Sequence, residues 1–528
     1  MHHLSGMDAS FLHLETPEMP MHVGSLMLLE LPEGYRGDYY EDVKAMIGKR
    51  LHIAAVLSRK LATMPFELAE PVWIDDDDID LDYHVRSLTL RRPGTMEQLD
   101  ELIARLHSSL LDRSRPLWEM YVIEGLQNGQ VAFYTKAHHS GVDGKAGAEM
   151  AKVLYDISPQ MREVPPPRRK RGSGSGSYQL GVTELLRAAV SNSATQYRKL
   201  AELLPSAAKA LTAAGNALAS QRTPKGGRPL ILGLAPKTIF NDSITNQRSY
   251  STWSVPLDEL KALGTRVGGT VNTLVMAICA GALRRFLKER GELPPQALIA
   301  AVPVSLRAAG DDAMNNQVSV VRVDLATDID DVAARFKAIH ASSEAAKAVV
   351  RELKPVLGVD MPLMGTPWIM TSLASLYGRS NLARQLPPVG NVAISNVPGP
   401  AMPLYMAGAR MVNYFPVSIP GHGMGLNITV HSYAGLLEFG LTACRRVLSQ
   451  PESYELVGYL KAALKEIEAL PSIGEPAAPG PVPAPHKRTG ASNGVGAKAA
   501  RPAGPRKTPR TTTKLVATGA APARRARS

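Results

Sequence analysis

A mixed α/β fold built in two similar-sized halves is what the sequence predicts. Segments of strand-like alternation and of helical spacing follow one another over residues 1–162, and again over 228–470. Between them runs a Pro-, Arg-, Gly- and Ser-rich stretch with the composition of a linker. The 528 residues, 45% hydrophobic and 20% charged, suffice for two or three domains with substantial cores.

In the first half, "YYEDVKAMIGKRL" (Tyr39–Leu51) and "MEQLDELIARLHSSLL" (Met96–Leu111) have helical spacing. "VAFYTKA" (Val131–Ala137) reads as a strand that ends at His138 and His139. "GKAGAEMAKVLYDI" (Gly144–Ile157) then reads as a helix, with Asp143 placed as its N-cap. "VPPPRRKRGSGSGS" (Val164–Ser177) is the linker, and residues 179–222 are Ala- and Leu-rich with the spacing of one or two connecting helices. Linker and connecting helices together span 163–227. The second half holds a helix at Thr270–Arg290, strands at Ala297–Leu306 and Asn391–Pro400, a strand pair over Gly425–Ala443 and a closing helix at Pro451–Leu470. Residues 471–528 are rich in Pro, Ala, Gly, Lys and Arg, too poor in apolar side chains to fold alone, and are expected to be a disordered tail.

Composition excludes several functions. Of the 60 Lys and Arg, 11 lie in 471–528 against the single acid Glu475, which leaves 49 against 47 acids in residues 1–470. Of the net charge of +12, +10 therefore lies in the tail and only +2 in residues 1–470, and the folded part gives no electrostatic case for specific nucleic-acid binding. Two cysteines, Cys279 and Cys444, make no disulfide framework and suit a reducing compartment. The N-terminus lacks a basic region leading into an apolar one, so no secretory signal is expected. The longest apolar run, Leu274–Leu283, is shorter than the roughly 20 residues a membrane span needs. These features predict a cytoplasmic protein, soluble or peripheral at the inner membrane or at lipid inclusions.

"AHHSGVDGKAG" (Ala137–Gly147) carries the densest chemistry. Consecutive strand side chains point to opposite faces, so His138 and His139 cannot both hold one metal ion, and no third ligand stands at convincing spacing. One histidine facing a cleft suits a general base, since free imidazole titrates near about 6.5. The other would face inward and shape the turn. Gly141 and Gly144 permit close backbone approach, and Asp143 can anchor the loop. A strand-to-helix turn with a structural histidine pair fits the same spacing.

"HHSGVDG" (His138–Gly144) matches the H-H-x-x-x-D-G signature of the CoA-dependent acyltransferase superfamily, which includes the condensation domains of peptide synthetases. More narrowly, the chain resembles the bacterial wax ester synthase/diacylglycerol acyltransferase family. The resemblance rests on Leu4–Gly24, "WIDDDDIDLDYHVR" (Trp73–Arg86), "SRPLWEMYVIEGL" (Ser114–Leu126), "VPVSLR" (Val302–Arg307), "MNNQVS" (Met314–Ser319), "NVAISNVPGP" (Asn391–Pro400) and Leu426–Leu441. It covers residues 4–470 in order. It implies a condensation-domain-like fold with a tunnel at the interface of the two halves. It also implies that His139 is the base, taking the proton of an alcohol hydroxyl as the oxygen attacks the thioester of acyl-CoA. His138, Asp143 and Gly144 support the motif, and Asp143 pairs with an arginine, for which Arg307 is the candidate. The implied partners are acyl-CoA as co-substrate and diacylglycerol or a long-chain fatty alcohol, with no cofactor and no metal, and the products are triacylglycerol or wax ester. No G-x-S-x-G elbow supplies a serine nucleophile.

Where the family shows an Asn-Asp pair, this chain has Asn272 and Thr273. Asn272 is read either as catalytic support or as a helix N-cap. Ser395 and Asn396 could supply donors to a developing oxyanion, or simply precede a Pro-Gly turn. Leu117 and Trp118 are expected in the core. The acidic run Asp75–Asp78 with Asp80 and Asp82 lacks the pattern of a calcium loop and is expected to be a solvated strand face. "GHGMG" (Gly421–Gly425) precedes a strand and fails the test for a dinucleotide loop. The basic tail and Arg168–Arg171 are read as a lipid-headgroup contact or as a solvated extension. Two rival readings stand beside triacylglycerol or wax ester synthesis: an acyltransferase for another alcohol or amine, and a non-catalytic lipid-inclusion-binding relative.

Overall fold

The computed structural model describes residues 2–62, 71–142, 144–166, 234–305, 318–357 and 387–472, all within one unit, Met1–Pro476. The first half carries β1 (His2–His3), α1 (Gly6–Leu14), β2 (His22–Glu30), α2 (Tyr39–Arg50), β3 (Arg59–Ala62) and β4 (Val72–Asp75). It continues with α3 (Leu81–His84), β5 (Val85–Thr89), α4 (Met96–His107), β6 (Trp118–Glu124), β7 (Val131–His138) and α5 (Gly144–Leu154). The second half carries β8 (Arg248–Pro256), α6 (Leu257–Val267), α7 (Val271–Glu289), β9 (Ile299–Ser305), β10 (Val318–Asp324) and α8 (Val332–Leu357). Then come β11 (Val392–Val397), β12 (Tyr405–Met406), β13 (Ala409–Val417), β14 (Leu426–Tyr433), β15 (Leu436–Cys444) and α9 (Gln450–Glu468). The connecting segment expected over 163–227 and the tail expected over 471–528 lie outside the described residues, apart from 163–166 and 471–472.

Two six-stranded sheets organise these elements, ordered β12-β13-β2-β7-β6-β5 and β10-β9-β11-β14-β15-β8, with a small sheet β1-β4-β3 beside them. Local sequence explains where the helices sit. Thr95 and Gln98 close a capping box at the start of α4, and Ser449 with Glu452 does the same for α9. Leu99, Ile103 and Ala104 of α4 pack against Tyr121, Tyr134 and Tyr250. The apolar run Leu274–Leu283 is buried inside α7, between the second sheet and α8 and α9. A Cβ at Gly281 would stand 2.8 Å from that of Ala463, so glycine there lets α7 and α9 touch. Among the described residues no single helix is long and apolar enough to cross a membrane.

One crossing was not expected. β12 and β13 belong to the second half of the chain yet complete the first sheet, β13 pairing with β2 from Arg410↔Glu30 to Val417↔Gly24. Alternation along β15 explains how β13 is held. Leu437, Phe439 and Leu441 enter the core of the second half, while Glu438, Gly440 and Thr442 face β13. Glu438 accepts from Asn413 Nδ2 (2.8 Å) and from the Tyr414 N–H just after a bulge in β13, and Thr442 Oγ1 accepts from the Ser418 N–H (3.1 Å). A Cβ at Gly440 would overlap the Pro416 carbonyl. This seam joins the two sheets.

The acidic run is not a strand face. β4 ends at Asp75, and Asp80 caps α3 by accepting from the Tyr83 N–H (3.2 Å). Asp75 pairs with Arg59 (3.3 Å), Asp76 with Lys60 (3.1 Å), Asp80 with Arg115 (3.3 Å) and Asp82 with Lys44. Aspartates bond readily to nearby backbone and so favour caps and turns over strand interiors.

Candidate active site

All eight residues of β7 are buried, and the strand runs between β2 and β6 to the histidine pair. At its end the His138 N–H donates to Leu117 O (2.9 Å) and the His139 N–H to Met21 O (2.8 Å). The backbone is thus tied to opposite neighbours at successive residues, and the two rings take different surroundings.

The His138 ring is fully buried. Its Nδ1 accepts from the Ser140 N–H (3.1 Å), with Ser140 Oγ at 2.7 Å, and its Nε2 lies 3.2 Å from Glu15 Oε2. That network places the proton on Nε2. Glu15 also accepts from the Met21 N–H (3.0 Å) and from Arg113 Nε (3.1 Å) and Nη2 (2.9 Å). Burial opposes ionisation of Glu15, but His138, Arg113 and the Met21 N–H together outweigh it and bring its pKa to about 2. Beneath this hub the same face of β7 carries Lys136, 3.0 Å from Glu119 Oε2 and donating to Ser109 O (3.1 Å). This face of β7 therefore carries two polar clusters, each internally paired, rather than isolated charges.

His139 lies on the other face. Its ring stacks on Phe11 of α1 at 4.1 Å with 13° between the planes. Ser5 caps the start of α1, its Oγ accepting from the Asp8 N–H (3.1 Å), and Ala9 and Leu12 pack the helix against Leu111 and Leu117. Burial, aided by the neighbouring His138, lowers the pKa of His139 to about 4, so the imidazole is neutral near neutral pH. The loop beyond runs under the small sheet: a Cβ on Gly141 would meet Val56 Cγ2 at 3.3 Å and Trp73 Cη2 at 3.7 Å. Gly144 opens α5. Asp143 and Arg307, the expected loop-holding pair, lie outside the described residues.

Asn272 is not the helix cap. Thr270 is, its Oγ1 accepting from the Thr273 N–H (3.2 Å), and Asn272 stands half-buried at the second helical position. Thr273, in place of the family's carboxylate, is buried with its hydroxyl 3.1 Å from that of Thr270 and 3.2 Å from His340 Nδ1. Ser395 and Asn396 sit on opposite faces of β11, level with Thr429 and Val430 of β14. Asn396 shares its face with the core residues Val392 and Ile394, and Ser395 shares the seam face with Thr429. Asn391, at the head of the same motif, is fully buried and ties β9 to the loop around Asn241. Leu117 and Trp118 are core residues, as expected, with Trp118 Nε1 donating to Leu57 O (3.0 Å).

Glu15, Phe11 and Arg113 escaped the sequence reading. The first two stand inside the quoted stretch Leu4–Gly24, but spacing along the chain does not reveal that this stretch folds over residues more than a hundred positions away. Among the described residues no group of three His, Cys, Asp or Glu is placed to hold a metal ion.

The wax ester synthase/diacylglycerol acyltransferase catalytic domain matches residues 4–275, and the C-terminal domain of the same family matches 314–468. A protein of Mycobacterium tuberculosis named as a probable diacylglycerol O-acyltransferase is 38% identical over 473 residues, covering 88% of this chain and 98% of its own. The wax ester synthase/diacylglycerol acyltransferase of Marinobacter aquaeolei is 32% identical and superposes with a TM-score of 0.62, over 88% of this chain and 98% of that one. The starter condensation domain of rhizomide synthetase is 12% identical with a TM-score of 0.53, over 89% and 95%, a likeness of fold. The two-sheet architecture is thus the condensation-domain-like one expected.

Proposed function

The chain belongs to the wax ester synthase/diacylglycerol acyltransferase family of acyl-CoA-dependent O-acyltransferases, and on that premise we propose that His139 is its general base. The acceptor is the hydroxyl of diacylglycerol or of a long-chain alcohol. Its proton passes to His139 over a hydrogen bond of about 2.6–3.2 Å while the oxygen attacks the thioester carbonyl. Collapse of the tetrahedral intermediate forms the ester and expels the CoA thiolate, which takes the proton back from His139. No acyl-enzyme and no cofactor take part. The observation that carries this reading is the division of labour at the end of β7: a neutral ring stacked on Phe11 on one face and, on the other, a ring held between Ser140 and the Glu15 carboxylate.

His138 is a positioning residue, holding the strand end through Glu15 and Ser140. To Asp143, with Arg307 as its candidate partner, we assign the loop-supporting role that the family motif implies. For the developing oxyanion Ser395 is favoured over Asn396, because it lies on the seam face. The substrate passage runs along that seam, and the protein works peripherally at a lipid surface, where its acceptors are.

The test is an acceptor panel: labelled palmitoyl-CoA with dioleoylglycerol, hexadecanol and a long-chain amine. Ester products with either hydroxyl acceptor and none with the amine support the reading. Transfer to the amine alone overturns the choice of acceptor. Thr273, where the family carries a carboxylate, favours a second reading as a lipid-binding relative without turnover, which absence of product with every acceptor would establish.

A further inference from the structure

Two surface loops hold apolar side chains exposed. In the loop after α5, Ile157 is 78% exposed and Met161 54%. At the end of β11 Val397 is 42% exposed, in the loop that follows Met402 is 56% exposed, and the whole segment Val397–Pro403, "VPGPAMP", has no charged residue. The loops are joined: the Asp156 N–H donates to Tyr405 O and the Tyr405 N–H to Asp156 O, both at 2.8 Å.

Neither loop is loose. Buried Asp156 pairs with buried Arg50 at 2.8 Å, and Arg50 also donates to Val153 O (3.2 Å) and Arg162 O (3.0 Å), closing the first loop from both ends. The second is held by the Gly399 N–H on Ser432 Oγ (3.0 Å), the Ala434 N–H on Pro400 O (3.0 Å) and the Leu404 N–H on Tyr433 Oη (2.8 Å). A Cβ at Gly399 would overlap His431 and the Ser432 carbonyl, so glycine seats the turn. The fold uses buried bonds to hold these apolar side chains out toward water, and apolar surface kept exposed in this way marks an interaction site.

We propose that these two loops form the face by which the protein docks on an anionic phospholipid surface. Isolated apolar tips among prolines suit insertion among headgroups and acyl chains better than a flat protein interface. The chain supplies the matching charge, since Arg168–Arg171 follow Pro166 almost at once in sequence. β11 carries Ser395 on the seam and runs straight into this loop, so the docking face adjoins the strand that borders the substrate passage. The link to lipid substrates rests on the acyltransferase reading; the docking itself does not.

The full-length protein is sedimented with vesicles of equimolar phosphatidylcholine and phosphatidylglycerol. For Ile157→Ser/Met402→Ser, partition weakens by about tenfold or more, because two side chains lose their apolar burial. For Ile157→Trp/Met402→Trp it is retained or tightened, since tryptophan suits the interface. Wild type binds vesicles of phosphatidylcholine alone severalfold more weakly. Turnover with a water-soluble short-chain alcohol is unchanged in the serine variant, while the KM for dioleoylglycerol presented in vesicles rises. Equal vesicle binding by wild type and serine variant overturns the proposal. So does a wild-type dimer that the serine variant dissolves, which would make the face a self-association surface, and so does loss of soluble-alcohol turnover, which would place the loops in the active site. Absence of turnover in wild type with every acceptor would sink the acyltransferase reading and leave the sedimentation comparison standing.

Discussion

A histidine that accepts a proton from an alcohol must be neutral when the alcohol arrives, and burial against Phe11 secures this for His139. Its pKa near 4 places the acid limb of kcat/KM close to pH 4; a limb at or above the value of free imidazole, about 6.5, contradicts that environment. The same shift affects stability. His139 binds its proton less readily folded than unfolded, so its contribution is complete above about 6.5 and is lost as pH falls toward 4. Glu15 acts in the same direction at lower pH. Its folded pKa of about 2 lies below the ordinary 4.5, so its contribution is present above 4.5 and disappears as pH falls toward 2. Urea unfolding across that interval is expected to show a shallower pH dependence for Glu15→Gln than for wild type. Glu15→Ala leaves the buried His138 ring and the Met21 N–H without their acceptor, while half-exposed Arg113 keeps water and Leu12 O, and should cost about 1–3 kcal/mol by the same measurement. Thr273→Val keeps the shape and deletes the hydroxyl shared with Thr270 and His340, at a cost of about 1 kcal/mol.

Elements whose pattern is local were legible in the sequence. The helical spacing of Tyr39–Leu51, the strand of Val131–Ala137 and the hairpin of Gly425–Ala443 all stand where periodicity puts them. What the sequence did not disclose depends on pairing across long separations. β13 is not singled out as a strand by its sequence pattern, and its own residues do not say that its partner is β2, nearly four hundred positions earlier. The reason lies in β15, whose Glu438, Gly440 and Thr442 are shaped for β13 and make sense only beside it. The site divides the same way. Adjacent histidines on a strand announce opposite faces, but the selection of His139 by Phe11 and of His138 by Glu15 belongs to the tertiary fold. Gly440→Ala tests the seam. An added Cβ meets the Pro416 backbone, which cannot step aside as a side chain would, and a destabilisation of about 1–3 kcal/mol is expected in chemical unfolding.

Across the whole molecule the crossover strand makes one working body of two sheets, with the histidines at the end of a central strand of the first and Ser395 on a central strand of the second. In the proposed mechanism apolar substrates meet along this seam, and His139, whose burial keeps it neutral near neutral pH, activates the acceptor. The most direct measurement is the turnover of palmitoyl-CoA with dioleoylglycerol by purified His139→Ala beside wild type, each checked by thermal melting for a folded state. Loss of a positioned general base predicts a fall of about 10²–10⁴-fold in a folded variant. A folded His139→Ala that makes triacylglycerol within about twofold of the wild-type rate contradicts the account, since a change that small is less than 0.5 kcal/mol of barrier.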